Sequence, residues 1–404
     1  MMIKRNNKPE IRMAGFDKPW TERRFEELYR KSSEKNDGSV GIDRNITVAT
    51  MQFKSDIKIS DEEYLKTYYT FMKGDIAFEG HQSKEYRFGR FVENDIGDGI
   101  VSHIFAVFRP IKEYDLHFWK YAINNERLMQ SVLAKSTKAS TMMHELVVED
   151  FLKETFLVPD IEEQKKIGEY INNIDCLLAA HQQEINRLIC LRSAMLDKMF
   201  PQNGSAVPIV RFDGYKLPWI KKEFSELFVE RHYIDTVSEE YPQLSFTIEE
   251  GVIRPENRKT NKRDFLILDK ANKKYLRTEY DDIIYNPANI IYGAIHRNAL
   301  GKGCVSPIYK IFYTNQDSTF MECIVRHPCF IKEISRSMEG TVKKLRTLKP
   351  KAFLEMSAYI APTIEEQQQI GEYFRQMDRL IEIEKEELEK IKHIKNACLE
   401  KMFV

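Results

Sequence analysis

Two segments of equal length decide the fold of this chain. The first, residues 159–200, reads PDIEEQKKIGEYINNIDCLLAAHQQEINRLICLRSAMLDKMF, and the second, residues 362–403, reads PTIEEQQQIGEYFRQMDRLIEIEKEELEKIKHIKNACLEKMF. They are identical at 17 of 42 positions, without a gap and at a constant offset of 203 residues. A match of this length does not arise by chance, so the chain contains an internal duplication.

Both segments predict a long helix. Each begins with a proline, which the first turn of a helix tolerates, and continues with acidic residues that favour the positive end of the helix dipole. Apolar residues then recur at alternating steps of four and three, which is typical of a coiled-coil seam. The seam positions are Ile167, Ile171, Ile174, Leu178, Ile185 and Leu188 in the first segment, and Ile370, Phe374, Met377, Ile381, Leu388 and Ile391 in the second. A helix of about 40 residues is roughly 60 Å long and cannot bury such a stripe alone, so we expect the two helices to pack together, most simply antiparallel.

Two seam positions carry polar side chains in both segments. His181 corresponds to Glu384, and Arg192 corresponds to Lys395. A polar residue in a seam costs stability but can fix the register and the partner of a helix. Alternatively, these side chains extend outward to solvent and have no such role. The sequence leaves both interpretations open.

A second, shorter repeat precedes each variable stretch of the chain. Residues 9–28 and 208–227 share a proline, an arginine, a Gly-aromatic pair, Pro-Trp and a closing Phe-x-Glu-Leu. The stretches between these markers are similar in length but match far less well. We therefore predict a pseudo-twofold tandem repeat with four segments: 1–157, a first variable domain; 158–203, a first spacer helix; 204–360, a second variable domain; and 361–404, a second spacer helix.

Each variable domain is predicted to be α+β. Short runs rich in Val, Ile, Phe and Tyr, bounded by Gly, Asn or Pro, indicate strands. These runs lie at 75–78, 100–108, 282–285 and 304–312, and helices are predicted at 127–134 and 320–324. The predicted fold class is therefore two globular α+β domains separated by two long antiparallel helices.

The candidate DNA-binding residues lie in loops rich in Arg, Lys, Asn and Tyr. Such side chains bind phosphates and read base edges, with Arg and Lys suited to guanine and Asn to adenine. The candidates are Lys84, Tyr86, Arg87 and Arg90 in the first domain, and Tyr292, His296, Arg297, Asn298, Lys343, Lys344 and Arg346 in the second.

Charge is sorted by region, although the net charge of the chain is zero. Residues 254–277 contain nine basic against three acidic residues, and residues 326–351 contain eight against two. Basic surfaces of this kind are expected where a protein meets phosphate. The alternative is that these stretches are simply solvated faces.

The motifs of catalysis are missing from the sequence. There is no nucleotide-binding glycine loop of the Walker A type. Residues 286–289 (NPAN) lack the second proline and the aromatic residue of amino-methyltransferases, and the E-x-K triplet at 163–165 loses its lysine in the second copy. We therefore expect no catalytic residue, no bound cofactor and no metal ion in this chain.

The setting predicted for the chain is the cytoplasm. Its six scattered cysteines form no Cys-x-x-Cys pair, which favours a reducing compartment. No apolar run approaches the roughly 20 residues that span a bilayer, and residues 1–10 lack the apolar stretch of a secretory signal. We accordingly expect no membrane partner.

With these motifs the chain resembles the specificity (S) subunits of Type I restriction–modification systems. The carriers are the repeated opening motifs at Pro9 and Pro208, the Lys-Gly-Asp-Ile turn at Lys73, the Val-Ser-Pro-x-Tyr segment ending at Tyr309, and the repeated Pro-x-Ile-Glu-Glu-Gln-x-x-Ile. Departures are small: for example, Asp281-Asp282 replaces Gly-Asp in the second copy.

The resemblance implies a function and a set of partners. Two target recognition domains would each read one half of a bipartite, asymmetric site in double-stranded DNA, and the two helices would set the spacer between the half-sites. Two modification (methyltransferase) subunits and the restriction (endonuclease/translocase) subunits would dock on the chain. S-adenosylmethionine, ATP and Mg²⁺ would then belong to those partner subunits.

Two other classes of protein remain as alternatives. One is an enzyme, a nuclease or methyltransferase with DNA-binding repeats, which methyl transfer by the isolated chain would support. The other is a protein-binding scaffold without a role on DNA, which salt-dependent binding of duplex DNA by the reconstituted complex would rule out.

Overall fold

The computed structural model describes residues 7–54, 62–140, 143–202, 204–258, 273–338 and 347–404. The chain forms two compact units: unit 1 comprises Met1–Gln182 and Glu386–Val404, and unit 2 comprises Gln183–Lys385. Each unit therefore combines one variable domain with the first half of one long helix and the last half of the other. The four predicted segments divide the chain by sequence, whereas the units divide it by packing.

The elements of the first repeat are, in chain order, β1 (Thr21–Arg24), α1 (Phe25–Leu28), β2 (Tyr29–Ser32), β3 (Ile46–Thr47), β4 (Gln52–Phe53), α2 (Glu62–Leu65), β5 (Tyr69–Phe71), β6 (Ile76–Glu79), β7 (Arg90–Glu93), β8 (Gly99–Val101), β9 (Ala106–Pro110), α3 (Leu116–Ile123), α4 (Glu126–Ser136), β10 (Thr137–Ala139), β11 (His144–Leu146), α5 (Val148–Lys153), β12 (Thr155–Val158) and the long helix α6 (Ile161–Met199).

The elements of the second repeat are β13 (Ile220–Glu223), β14 (Phe228–Glu230), β15 (Ile234–Asp235), β16 (Ser245–Thr247), β17 (Gly251–Ile253), β18 (Tyr275–Thr278), β19 (Ile283–Tyr285), β20 (Ile295–Arg297), β21 (Gly303–Val305), β22 (Lys310–Thr314), α7 (Ser318–Arg326), α8 (Pro328–Ser337), α9 (Pro350–Leu354), β23 (Ser357–Ile360) and the long helix α10 (Ile364–Lys401).

The same four-stranded antiparallel sheet occurs in both units. Its strand order is β2-β9-β6-β7 in unit 1 and β14-β22-β19-β20 in unit 2. The inner hairpins match residue for residue, because Ile76 lies opposite Glu93 in unit 1 and Ile283 lies opposite Arg297 in unit 2. This common register allows equivalent positions of the two units to be compared directly.

Most predicted elements are confirmed, with one correction. The runs at 100–108 and 304–312 are each two strands, separated by turns at residues 102–105 and 306–309. The strand before each turn lies in a smaller sheet, since β8 pairs with β5 and β21 with β18, whereas β9 and β22 belong to the four-stranded sheets. The prediction of one continuous strand was wrong because an apolar run does not reveal where the chain leaves one sheet for another.

Aromatic side chains attach the opening motif of each repeat to the end of a long helix. In unit 1, Trp20 packs edge-on against Phe403, and Phe118 stacks on Phe403 with ring centroids 5.4 Å apart. The equivalent residues of unit 2 are Trp219, Phe200 and Phe320. The Pro-Trp and Lys-Met-Phe motifs are therefore repeated in sequence because they pack together in each unit.

A buried ion pair secures the same junction. Arg12 of the first opening motif donates two hydrogen bonds of 2.7 Å to the carboxylate of Glu163, which is fully buried in the first turn of α6. In unit 2, Arg211 donates two bonds of 2.6 and 2.8 Å to Glu366 of α10. The Glu163 triplet thus has a structural role, which explains why its lysine is dispensable in the second copy.

Glycine is required in the Ile-Gly-Glu-Tyr motif of both long helices. A Cβ atom on Gly168 would lie 2.2 Å from Oδ1 of Asp115, the residue that caps the N-terminus of α3. A Cβ atom on Gly371 would lie 2.1 Å from Oδ1 of Asp317, which caps α7. Each long helix therefore accepts the end of a shorter helix at a point where no side chain fits.

The long helices pack antiparallel. Within unit 1, Tyr170 of α6 is hydrogen-bonded to Cys398 of α10, and Asp175 lies farther along α6 but pairs with the earlier residue Lys395. Ten of the predicted seam residues are buried, and Leu178 and Ile391 are partly buried. The predicted fold class, α+β domains with two long antiparallel helices, is confirmed.

Candidate nucleic-acid interface

Four of the candidate DNA-binding residues, Lys84, Tyr86, Arg87 and Tyr292, fall in a loop that recurs in both units and lies beside a second segment of its own unit. Loop A joins the strands of the inner hairpin and comprises residues 80–89 in unit 1 and 286–294 in unit 2. Loop B is the segment after α4 or α8: its described residues are 137–140 and 143–146 in unit 1, which include strands β10 and β11, and 338 and 347–348 in unit 2. Two different stretches of sequence thus contribute to one surface in each unit.

An equivalent backbone hydrogen bond joins loops A and B in both units. In unit 1 it runs from His144 N to Gly80 O (2.8 Å), and in unit 2 from Leu348 N to Pro287 O (3.0 Å). Because the bond recurs although the side chains around it differ, the pairing of the loops belongs to the scaffold. Their side chains are free to differ between the two units.

Loop A of unit 1 is held in one conformation. Gly89 has a positive φ of 83°, and a Cβ on Gly80 would lie 2.0 Å from the carbonyl oxygen of His144, so both ends of the loop favour glycine. Inside the loop, Ser83 N donates to Tyr86 O, and the Tyr86 hydroxyl donates to Asn124 Oδ1 at 2.6 Å. The loop is therefore built before any ligand binds.

The four candidates of unit 1 differ in how freely they face solvent. Lys84 and Arg87 are exposed, while Tyr86 is half-buried. Arg90 is held by a 2.7 Å bond to Glu79 and a 2.8 Å bond to the carbonyl oxygen of Ala49. Of the four candidates, Lys84 and Arg87 are accordingly the side chains that are free to reach a phosphate or a base edge.

Loop A of unit 2 presents an aromatic side chain. Tyr292 is 68% exposed at the end of a short helical turn, and Gly293 follows it in the left-handed conformation, with φ of 87°. Asn286 N donates to Ala294 O and closes the loop. Among the unit 2 candidates that lie within the described residues, Tyr292 is therefore the exposed one.

Three other candidates of unit 2 lie at the end of β20 and beyond. His296 and Asn298 are buried, and the Arg297 side chain is 11% exposed and paired with Asp281 and Glu322. A buried side chain cannot reach a base edge in this conformation. We therefore withdraw His296 and Asn298 from the candidate contacts.

The surroundings of His296 and Asn298 show what they do instead. Burial lowers the pKa of His296 to about 4, and its Nε2 lies 2.8 Å from Ile248 O. Asn298 Nδ2 donates to Gly301 O, and Asn298 Oδ1 accepts from the amide of Gly301. Asn94 of unit 1 makes the corresponding bonds around its own turn, so this asparagine is a structural element of both repeats.

The remaining candidates, Lys343, Lys344 and Arg346, lie outside the described residues, as does most of the basic stretch 254–277. Sequence reasoning also missed loop B of unit 1, where Lys138 is exposed. The duplication contains the signal for it, because this loop follows α4 just as the segment with Lys343 follows α8.

A second exposed surface follows from the helix pairing. Leu177 and Ile394, both in unit 1, are 53% and 50% exposed, and each directly precedes a seam position. In an antiparallel pair such positions flank the same side of both helices. In unit 2 the duplicate residues Leu380 and Leu191 are 51% and 40% exposed. We call this side of the helix pair the outer flank.

Two further properties were surveyed over the described parts of the chain. No helix there is both long and apolar enough to cross a membrane. No group of three or more His, Cys, Asp or Glu residues there is arranged to hold a metal ion.

Comparison with known proteins connects this architecture to DNA recognition. Residues 18–189 match the model of the Type I restriction modification DNA specificity domain. The Type I restriction enzyme MjaVIII specificity subunit of Methanocaldococcus jannaschii is 23% identical over 301 residues, which cover 69% of this chain and 68% of that protein.

Solved structures share the fold at low sequence identity. The Type I restriction–modification S subunit of M. genitalium matches with a TM-score of 0.58 and 15% identity, covering 98% of this chain and 99% of the other. A chain from a structure of complex assembly and conformational transition of the type I R-M system matches with a TM-score of 0.51 and 15% identity, covering 95% and 97%.

The duplicated α+β domain with its paired loops, together with the matching domain model, defines a DNA-recognition subunit. Residues 18–189 thus carry a Type I restriction–modification DNA specificity domain, and the chain as a whole resembles the specificity subunits of such systems.

Proposed function

We propose that each unit reads one half of a bipartite, asymmetric target in double-stranded DNA through its loops A and B. The observation that carries this proposal is the recurrence of the same loop pair in both units with different exposed side chains. Unit 1 offers Lys84 and Arg87, whereas unit 2 offers Tyr292. One scaffold with two different surfaces suits a target whose halves differ in sequence.

The chemistry of the exposed side chains fits this role. Arginine can bind O6 and N7 of guanine with two hydrogen bonds, and lysine adds a contact to phosphate or guanine. A tyrosine offers one hydroxyl and a flat apolar face. Because loop A of unit 1 is already ordered by Gly80, Gly89 and Tyr86, little conformational entropy is lost on binding.

In this proposal the chain itself is non-catalytic and binds no cofactor. S-adenosylmethionine, ATP and Mg²⁺ would be held by modification and restriction subunits in a cytoplasmic complex. The outer flank supports two identical partners, because each unit exposes an equivalent apolar pair, Leu177 with Ile394 and Leu191 with Leu380. We therefore assign the docking of two modification subunits to the outer flank, and the spacing of the half-sites to the helices.

Methylome sequencing tests the assignment of the loops. In a host that carries this chain with its partner subunits, Arg87→Ala should relax one half-site and Tyr292→Ala the other. Each base contact contributes about 1–3 kcal/mol of discrimination. Lys165→Ala, which removes an exposed lysine near the start of α6, is the control and should leave both half-sites unchanged. Relaxation of both half-sites by one loop variant would contradict the assignment.

Native mass spectrometry tests the outer flank. Leu177→Glu should remove one modification subunit from the complex, Leu380→Glu the other, and the double variant both, because a buried unpaired charge opposes docking. Asn173→Glu, at an exposed position of α6, is the matched control. Retention of two modification subunits by the double variant would overturn the docking assignment and leave the loop assignment intact.

The absence of catalysis is tested on the purified chain. Calorimetry should detect no saturable binding of S-adenosylmethionine, and no methyl transfer or cleavage of DNA should occur without partner subunits. Binding by the chain alone would favour the enzyme alternative.

A further inference from the structure

A carboxyl group without a partner lies in the wall of a large cleft in unit 1. Glu93, on β7, is 2% exposed, and neither of its carboxyl oxygens has a hydrogen-bond partner among the described residues. The cleft has a volume of about 970 Å³ and is also lined by Tyr86 of loop A, Asn124 of α3 and Glu400 of α10. A buried carboxyl group that lacks a partner requires an explanation, since such groups are strongly destabilising.

The equivalent position in unit 2 shows what is missing. Arg297 occupies the place of Glu93 in the hairpin register, and its guanidinium lies 3.5 Å from the carboxylate of Glu322 on α7. In unit 1 the signs are reversed, because Lys120 of α3 is the residue equivalent to Glu322. Lys120, however, pairs with Asp95 at 2.6 Å. The carboxyl group of Glu93 is therefore left without a cation.

The other basic residues of the cleft are already engaged. Arg90 is bound to Glu79, Lys395 pairs with Asp175, and Arg127 donates to the carbonyl oxygens of Glu400 and Phe403. The acidic residues of the lining outnumber the basic ones by six to four: Glu85, Glu93, Asp95, Glu126, Asp175 and Glu400 against Arg90, Lys120, Arg127 and Lys395. The cleft is thus short of positive charge.

We propose that this cleft binds a guanidinium or alkylammonium group, with the Glu93 carboxylate as its partner. The group can come from a free polyamine or from an arginine or lysine side chain of a docked subunit. Because Tyr86 of loop A forms part of the wall, a bound cation also stabilises loop A, which we propose contacts DNA. The proposal does not depend on that assignment, since it concerns the chain alone.

Binding of a cation changes the protonation of Glu93. Burial raises the pKa of Glu93 well above its ordinary value, which favours the neutral carboxylic acid when no cation is bound. The titratable or charged groups that act on it or respond to it are Tyr29, Asp95, Tyr114, Asp115 and Lys120. A bound cation favours the carboxylate, so a proton leaves Glu93 for the solvent as the ion pair forms.

Calorimetry on the full-length chain tests the proposal, with agmatine as the guanidinium probe and spermidine as the ammonium probe. Titrations in two buffers of different ionisation enthalpy measure the protons released. Wild type should bind at least one probe with proton release, and Glu93→Gln should weaken binding by about tenfold or more and abolish the release. Glu85→Gln, on the exposed rim, is the matched control and should change affinity little.

Two results would count against a cation site at Glu93. No binding of either probe, or equal binding and proton release by Glu93→Gln, would overturn the proposal. Glu93→Gln should remain folded, because its amide carries no ionisation penalty, and circular dichroism checks this. Repeating the titration with modification subunits present separates the two sources. Exclusion of agmatine identifies a basic side chain of the docked subunit, and retained binding identifies a free amine.

Discussion

The Lys395 ammonium lies 2.6 Å from the Asp175 carboxylate, within unit 1. The duplicate pair lies within unit 2, where Arg192 donates bonds of 2.5 and 3.0 Å to Asp378. Arg192 and Lys395 therefore each reach across to an aspartate of the other helix. For this seam position, the contacts favour a role in fixing the helix register over exposure to solvent alone.

A double-mutant cycle measures the strength of the Asp175–Lys395 pair. Asp175→Asn and Lys395→Met should each destabilise the chain to urea, and the pair should show a coupling free energy of about 1 kcal/mol, as expected for a partly exposed ion pair. The Tyr121 hydroxyl donates to Asp175, and the asparagine can still accept that bond. Additive effects of the two changes would mean that the pair does not stabilise the register.

The buried arginine–carboxylate junctions should be among the most sensitive sites. Removing one partner of a buried pair costs about 3–5 kcal/mol. Glu163→Met should therefore destabilise unit 1, and Glu366→Met should destabilise unit 2. Glu366→Met should cost about 1 kcal/mol more, because Trp219 Nε1 also donates to Glu366 at 3.2 Å. Hydrogen exchange of α3 and α7 reports the two units separately. Equal loss of protection in both units from one variant would contradict the prediction.

A methyl group at Gly168 should loosen the cap of α3. The added Cβ would lie 2.2 Å from Asp115 Oδ1 and 2.6 Å from Phe118 N, so the cap must move. We expect Gly168→Ala to cost about 2 kcal/mol in the free energy of unfolding, from the lost cap and overpacking. Asn173→Ala, at an exposed site of the same helix, serves as the control and should be neutral or slightly stabilising. An unchanged melting temperature for Gly168→Ala would refute the close approach.

The buried histidine of unit 2 should make stability depend on pH. The pKa of His296 is lowered from 6.5 to about 4 by burial, so protonation favours the unfolded chain. Its contribution is fully present above pH 6.5 and is lost as pH falls from 6.5 towards 4, by about 3 kcal/mol in total. Urea unfolding at pH 7 and pH 5 should therefore differ less in His296→Gln than in wild type. An identical pH dependence in both proteins would show that other groups dominate.

Lengthening α6 tests the proposed spacer. Four residues inserted after Arg187 add about 6 Å, and the Asp175–Lys395 and Arg192–Asp378 pairs then no longer share one register. We expect methylated sites that keep both half-site sequences with a gap longer by one or two base pairs, or loss of binding. As a control, Ile185→Asp should weaken assembly without altering sequence choice. Unchanged spacing with full activity would show that something else sets the distance.

The sequence predicted the scaffold because its signals are local or periodic. The 203-residue offset and the seam from Ile167 to Leu188 predict structure without knowledge of distant contacts. The prolines were predicted in the first helical turn, but Pro159 and Pro362 lie two residues before helices that begin at Ile161 and Ile364. The exposed candidates Lys84, Arg87 and Tyr292 were also found, since loop composition reflects contact with solvent.

Only the tertiary structure decided which polar side chains face solvent and which are buried and paired within the fold. His296 and Asn298 belong to a polar stretch that resembles an exposed loop in composition. In the structure both side chains are buried, because of their places in and just after the hairpin. Glu93 lies at the place of Arg297, and nothing near it in sequence shows that its cation is missing. A side chain's partners come from strands and helices far along the chain, so burial and pairing are properties of the packed structure and cannot be read from composition.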